Sequence, residues 1–285
     1  MANRWLERRV ISYAHQGGEM EAPSSTLYAI ECALSLGATG IELDVHATKD
    51  RELVVFHDRF VDRMTDGAGD IADLTLEELR RLDNAYRFVP GHGAMRGLAE
   101  EQYPLRGRAP TDRRLGVATL AEVLDVVTSC ALNLDIKQTA PVVAPYEELL
   151  AEALRRHRRS DLVIVASFHD EATKRFSASA PEVATSPGQN EVTAFVQSVV
   201  RGEDPDPRIT RHAAIQVPPR ALGVDLVTES FVSVAHGLGL AVHVWTVNDQ
   251  DEMRRLCRLG VDAIMTDYPS RLVAALDELG NAWLA

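Results

Sequence analysis

No basic tract long enough to follow a phosphate backbone occurs in these 285 residues, and the formal net charge is −12. Nucleic acid is therefore not the expected partner, since its binding rests on Lys and Arg neutralising phosphates. No apolar run approaches the roughly 18 residues that a membrane span requires. The N-terminal stretch MANRWLERRVISYAH carries charge but no apolar core of useful length. Neither a signal peptide nor an integral membrane segment is expected. The three cysteines, Cys32, Cys130 and Cys257, are widely separated and lack CxxC spacing, which argues against a disulfide framework and against a zinc site. No fixed-period repeat is present. These absences leave a soluble, cytoplasmic protein with buried thiols.

What is present is an alternation of strand-like and helix-like runs. The strand candidates are 10–15, 39–45, 52–58, 131–137, 162–168, 182–187, 213–218, 241–247 and 262–267. In SSTLYAIECALSLG, Leu27, Ile30 and Leu34 share a helix face, the serines offer an N-cap, and Gly37 is placed to stop the helix. Asp249 with Glu252, and Thr75 with Glu78, have capping-box spacing, and Gly260 sits at a C-cap position. Alternation over the whole length predicts an α/β fold, a TIM (β/α)8 barrel forming a single domain over 1–285, with one of the nine strand candidates minor or off the barrel. Residues 84–116, rich in Gly, Pro and Arg, break the alternation. They are expected to be an insertion between the third and fourth strands, either a lid-like excursion over the mouth or plain surface disorder.

Four strands in succession end in polar groups. Side chains alternate along a strand, so Glu42 and Asp44 share a face, as do Asn133, Asp135 and Lys137. His15 closes the first strand and His57 the third. Alone, each such residue is most simply a solvated tip; together, several carboxylates aimed at one spot require a positive charge between them. An all-oxygen set suits a hard divalent cation, Mg2+ or Ca2+. Two histidines supply acid and base groups near neutral pH, and Lys137 can steady negative charge. Asp58 is expected to face away from His57, and His46 to lie past the strand tip in a turn.

The chain resembles the glycerophosphodiester phosphodiesterase family. The likeness is carried by AHQGG (14–18), APSSTLYAI (22–30), GIELDVHATKD (40–50), VVFHD (54–58), LNLDIK (132–137), ASF (166–168), VHVWTVND (242–249) and GVDAIMTDYP (260–269). It implies a metal-dependent barrel enzyme that hydrolyses glycerophosphodiesters to glycerol 3-phosphate and an alcohol with one divalent cation. Glu42, Asp44 and Asp135 would hold the metal, His15 and His57 would be the acid–base pair, Lys137 would contact the phosphate, and Trp245 would line the glycerol pocket. The glycerol 2-hydroxyl is expected to attack phosphorus, through a cyclic phosphate that water later opens.

Three positions depart from the family pattern. Gln16 stands where Arg usually follows the first histidine, so the phosphate grip is either weaker or supplied by Arg96, Arg106, Arg108, Arg113 or Arg114 of the insertion. Asp135 replaces the usual Glu. Ser24, Ser25 and Thr26 replace Glu-Asn-Thr, a change expected to affect the turn before the first helix more than the chemistry. Two rival readings are a sphingomyelinase D-type phospholipase acting on lysophospholipids, and a non-catalytic barrel that binds metal and phosphodiesters. The absence of disulfide-like cysteine spacing counts against the first; Gln16 favours the second.

Overall fold

The computed structural model describes residues 3–6, 9–138 and 146–280; the ends of the domain expected over 1–285 fall outside them. Eight parallel strands form the barrel: β1 (Ile11–His15), β2 (Gly40–Ala47), β3 (Ala131–Ile136), β4 (Val163–Ala166), β5 (Ala184–Thr185), β6 (Ala214–Val217), β7 (Ala241–Val244) and β8 (Ala263–Thr266). The ladder runs from β6 through β7 and β8 to β1 and on to β5. A backbone hydrogen bond from Ala213 N–H to the Thr185 carbonyl, at 2.9 Å, bridges the remaining gap between β5 and β6. The helices that follow the strands are α1 (Leu27–Ser35), α2 (Leu120–Val126), α3 (Tyr146–Arg156), α4 (Asp170–Ser179), α5 (Gln189–Arg201), α6 (Glu229–Gly237), α7 (Gln250–Leu259) and α8 (Pro269–Leu279).

The ninth strand candidate is Leu53–Val55, which pairs antiparallel with β2, Val55 opposite Val45. The reason is geometric. Residues 48–52 form a short turn that can only fold the chain straight back, whereas a parallel neighbour needs a long crossover. The 84–116 excursion therefore follows the third strand along the chain but lies between the second and third strands of the barrel. It holds a small hairpin, Phe88–Val89 with Gly93–Ala94. It is anchored to loops on the C-terminal rim: Asn84 Nδ2 donates to the Ser24 carbonyl at 3.2 Å, Gly91 N–H to the Met20 carbonyl at 2.7 Å, and Arg87 Nε to the Thr65 carbonyl at 3.1 Å.

Every residue of β2 is buried, as expected for a parallel strand covered on both faces. Ile41, Leu43 and Val45 point outward into one apolar cluster with Ile30, Val123, Leu132, Leu134 and Leu150. The opposite face enters the barrel. Its floor is closed by Trp5, Ile11, Tyr13 and small residues Ala131, Ala214, Ala241 and Ala263. Gly40 is required there, since a Cβ would sit 2.5 Å from the Tyr13 ring. The N-cap of α1 is Thr26, not one of the serines: its Oγ1 accepts from Ala29 N–H at 3.0 Å. Thr75 and Glu78 form the expected reciprocal capping box, and Asp249 caps α7 by accepting from Glu252 N–H.

Candidate active site

Strand register assembles the site. Pairing of β1 with β2 sets His15 beside Glu42, and pairing of β2 with β3 sets Asp44 beside Asp135. Lys137, just past β3, places Nζ 2.8 Å from Asp44 Oδ1 and 2.9 Å from Asp135 Oδ2. His57 follows the off-barrel strand, and its ring centre lies 6.2 Å from that of His15. Trp245, following β7, meets Phe168, following β4, edge to face at 5.6 Å. Phe168 also lies 5.7 Å from the Lys137 ammonium. His15, Glu42, Asp44, His57, Asp135, Lys137 and Trp245 are thus at the C-terminal mouth, where (β/α)8 barrels carry their chemistry.

Each imidazole is oriented by a carboxylate. His15 Nδ1–H donates to Asp267 Oδ1 at 2.6 Å, and Asp267 is held in turn by Asn248 Nδ2, also at 2.6 Å. His57 Nδ1–H donates to Asp58 Oδ1 at 2.7 Å, and Arg63 Nε grips the same carboxylate at 2.5 Å. A carboxylate only accepts, so both rings carry their proton on Nδ1 and turn Nε2 to the cavity. Asp58 therefore does not face away from His57. Period-two alternation ends with the strand at Val55, and the chain turns Asp58 under the ring. Asp267 and Asn248 were not picked out from sequence, although Asp267 directly follows β8 and the strand-end rule applies to it too. His46 is also corrected: it lies within β2, fully buried, rather than in a turn. Burial pushes its pKa down to about 4.

The charges are crowded and dry. Burial, reinforced by Asp44, raises Glu42 to about 7. Burial also raises Asp135, which Lys137 only partly offsets, to about 6. For His15, burial alone would lower the pKa, but Glu42, the hydrogen bond to Asp267 and Asp44 outweigh it and bring it to about 9. His57 is opposed by burial in the same way and raised by Asp58 and Asp44. Burial resists ionisation of Asp58, yet the hydrogen bonds from His57 and Arg63 hold it well below the usual carboxylate range.

Residues 15–271 match the glycerophosphoryl diester phosphodiesterase family. The chain belongs to that family. It is 31% identical over 270 residues to a glycerophosphodiester phosphodiesterase of Bacillus altitudinis, covering 94% of this chain and 98% of that relative. A phosphodiesterase of Oleispira antarctica, solved with the product sn-glycerol-3-phosphate, is 25% identical with a TM-score of 0.69, covering 94% of this chain and 97% of the other. An Agrobacterium tumefaciens structure, 21% identical with a TM-score of 0.69 and covering 94% of this chain and 99% of its own, has the same fold.

Within this family framework, four of the insertion's five candidate arginines are engaged with other partners. Arg96 donates to the Asp62 carbonyl, Arg106 binds Glu100, Arg113 binds the Arg80 and Val117 carbonyls, and Arg114 binds Glu31 and Asp112. Arg108 is exposed. Outside the insertion, the Arg63 guanidinium reaches His57 through the shared Asp58 carboxylate. Gln16 sits in a tight turn with φ +54°, followed by Gly17 at +81° and Gly18 at +94°. Its Oε1 accepts from Ser24 Oγ at 2.5 Å. Ser24, in the turn before α1, therefore also touches the site through Gln16.

The donor set suits a hard cation. Glu42, Asp44 and Asp135 supply only oxygens, Asp44 Oδ2 is buried without a hydrogen-bond partner, and Glu42 and Asp135 stay raised despite Lys137. The carboxylates as placed are drawn to the Lys137 ammonium, and no three His, Cys, Asp or Glu among the described residues form a ready-made metal cage.

Proposed function

We propose that this chain hydrolyses glycerophosphodiesters to glycerol 3-phosphate and an alcohol, with a divalent cation and with His15 and His57 as its acid–base pair. The observation that carries this is the two carboxylate-oriented imidazoles set 6.2 Å apart beside three buried acids and a lysine at the barrel mouth. Enzymes of the family generally use a divalent metal. Glu42, Asp44 and Asp135 would hold Mg2+ or Ca2+, which when bound neutralises charge on the phosphate and acidifies a hydroxyl. One imidazole takes the proton of the attacking glycerol 2-hydroxyl as the O–P bond forms. The other gives its proton to the departing alcohol as the second O–P bond breaks, and water then opens the cyclic phosphate. Lys137 steadies the phosphate, and Trp245 with Phe168 walls the glycerol side. The 84–116 excursion is read as a wall of the mouth within one barrel domain, and free, largely buried thiols accord with the expected cytoplasmic location.

Release of glycerol 3-phosphate from glycerophosphocholine, followed by a coupled assay with a cation panel, tests the reading. Cation-dependent release that falls about 10²-fold or more in His15→Ala is expected. Tight binding of the diester without release under any cation would instead leave a non-catalytic barrel. A second reading, action on lysophospholipids, is favoured by exposed Phe168, Leu222 and Val224 on loops after β4 and β6, beside the mouth. Lysophosphatidylcholine assayed against glycerophosphocholine separates the two.

A further inference from the structure

The uncharged side of the mouth has a built order of its own. Asn84, Ser24 and Gln16 are all buried. Asn84 Nδ2 donates to the Ser24 carbonyl at 3.2 Å, Ser24 Oγ donates to Gln16 Oε1 at 2.5 Å, and Gln16 Nε2 lies 3.4 Å from His15 Nε2. As placed, the carboxamide turns its oxygen to Ser24 and its nitrogen towards the edge of His15 that looks into the cavity. The cations nearby are already engaged. Lys137 lies between Asp44 and Asp135, and Arg63 is bound by Asp58, with Glu19 at 3.9 Å. Next to His15 the phosphate side therefore offers a neutral carboxamide, and the nearby cations among the described residues, Lys137 and Arg63, are both paired with carboxylates.

A phosphodiester carries a single negative charge, whereas a phosphomonoester, with a second pKa of about 6, is close to doubly charged at neutral pH. A charged donor favours the dianion far more than a neutral one does. We infer that Gln16, aimed by Ser24, is a specificity device that lets the site grip a singly charged diester while holding its doubly charged monoester product weakly. Ser24 is then a positioning residue, acting on ligand only through Gln16. The inference rests on the proposed phosphodiester chemistry, but its test does not require turnover.

Calorimetry with glycerol 3-phosphate, and with glycerophosphocholine in a His57→Ala background that spares the diester, measures the ratio of the two affinities. Wild-type protein is expected to bind the diester at least as tightly as the monoester. Gln16→Arg, its fold checked by a cooperative melting transition, should tighten glycerol 3-phosphate about tenfold, the step from a neutral to a charge-assisted hydrogen bond, and the diester less than threefold. An unchanged ratio, or a wild-type preference for the monoester, overturns the inference. Ser24→Ala should weaken diester binding in the Gln16 chain and have no further effect in Gln16→Leu. Equal losses in both would reduce Ser24 to a structural role. Failure of wild-type protein to turn over any glycerophosphodiester would sink the functional reading while leaving the affinity ratio to judge this one.

Discussion

Asp267 and Asp58 decide how the two imidazoles present themselves, since each fixes the proton on Nδ1. Replacing Asp267 by Asn removes the charge and lets an amide N–H face the ring, so the tautomer is no longer enforced. Asp267→Asn is expected to lower kcat by about 10²-fold or more with KM within about threefold, read by steady-state kinetics. A loss confined to KM would mean that Asp267 serves binding instead. At this scale the sequence was legible where a regular strand carries the residue: alternation alone put Glu42 and Asp44 on one face, and β2 keeps them there. It was illegible where the strand had ended. Asp58 and Ser24 lie in turns, where orientation depends on local dihedrals and tertiary partners; period-two reasoning gave the wrong side for Asp58, and no pattern in the sequence announced the reach of Ser24.

Between elements, the barrel strands are held at close quarters by small residues on the floor. Gly40 of β2 faces the Tyr13 ring of β1. Gly40→Ala should cost about 1–3 kcal/mol in urea unfolding, the range for overpacking a core, and an unchanged midpoint would show that Tyr13 can swing aside. The strand–helix order was readable because each run has its own period and end signals. The off-barrel turn of Leu53–Val55 was not, because a short apolar run looks the same whether it pairs parallel or antiparallel. β5 shrank to Ala184–Thr185 in a candidate that ends on Pro187, which cannot donate to a ladder. Past β6, whose Val217 carbonyl accepts from the Trp245 backbone N–H, comes an exposed hairpin carrying Leu222 and Val224. Leu222→Asp should reduce any turnover of lysophosphatidylcholine severalfold and leave glycerophosphocholine turnover within about twofold, in keeping with the small worth of one apolar contact. Equal losses on both substrates would remove the hairpin from acyl-chain recognition.

Across the whole molecule, burying like charges in one mouth links stability to protons and cations. Glu42, Asp135 and His15 have folded-state pKa values raised to about 7, about 6 and about 9. Between the ordinary and raised values, the folded chain keeps protons that the unfolded chain has released, so stability falls as pH rises through the window. Asp58 acts in the opposite sense: its depressed pKa contributes stability above the ordinary carboxylate value, which is lost as pH falls towards the depressed one. Burial lowers His46 to about 4 and His243 to about 3, and below about pH 6.5 these act in the opposite sense and offset the acids, so the melting temperature of cation-free protein should decline chiefly between about pH 6.5 and about pH 9. Glu42→Gln removes one of the titrating groups and should flatten the decline around neutrality. Mg2+ or Ca2+, bound to the ionised carboxylates, should raise the melting temperature most at the alkaline end, because binding favours the deprotonated acids and stabilises only the folded chain. Scanning calorimetry across pH, with chelator and with each cation, reads both effects. A flat profile in chelator would contradict the crowded, undercompensated charge of the mouth, and a cation-independent slope would contradict metal binding by Glu42, Asp44 and Asp135.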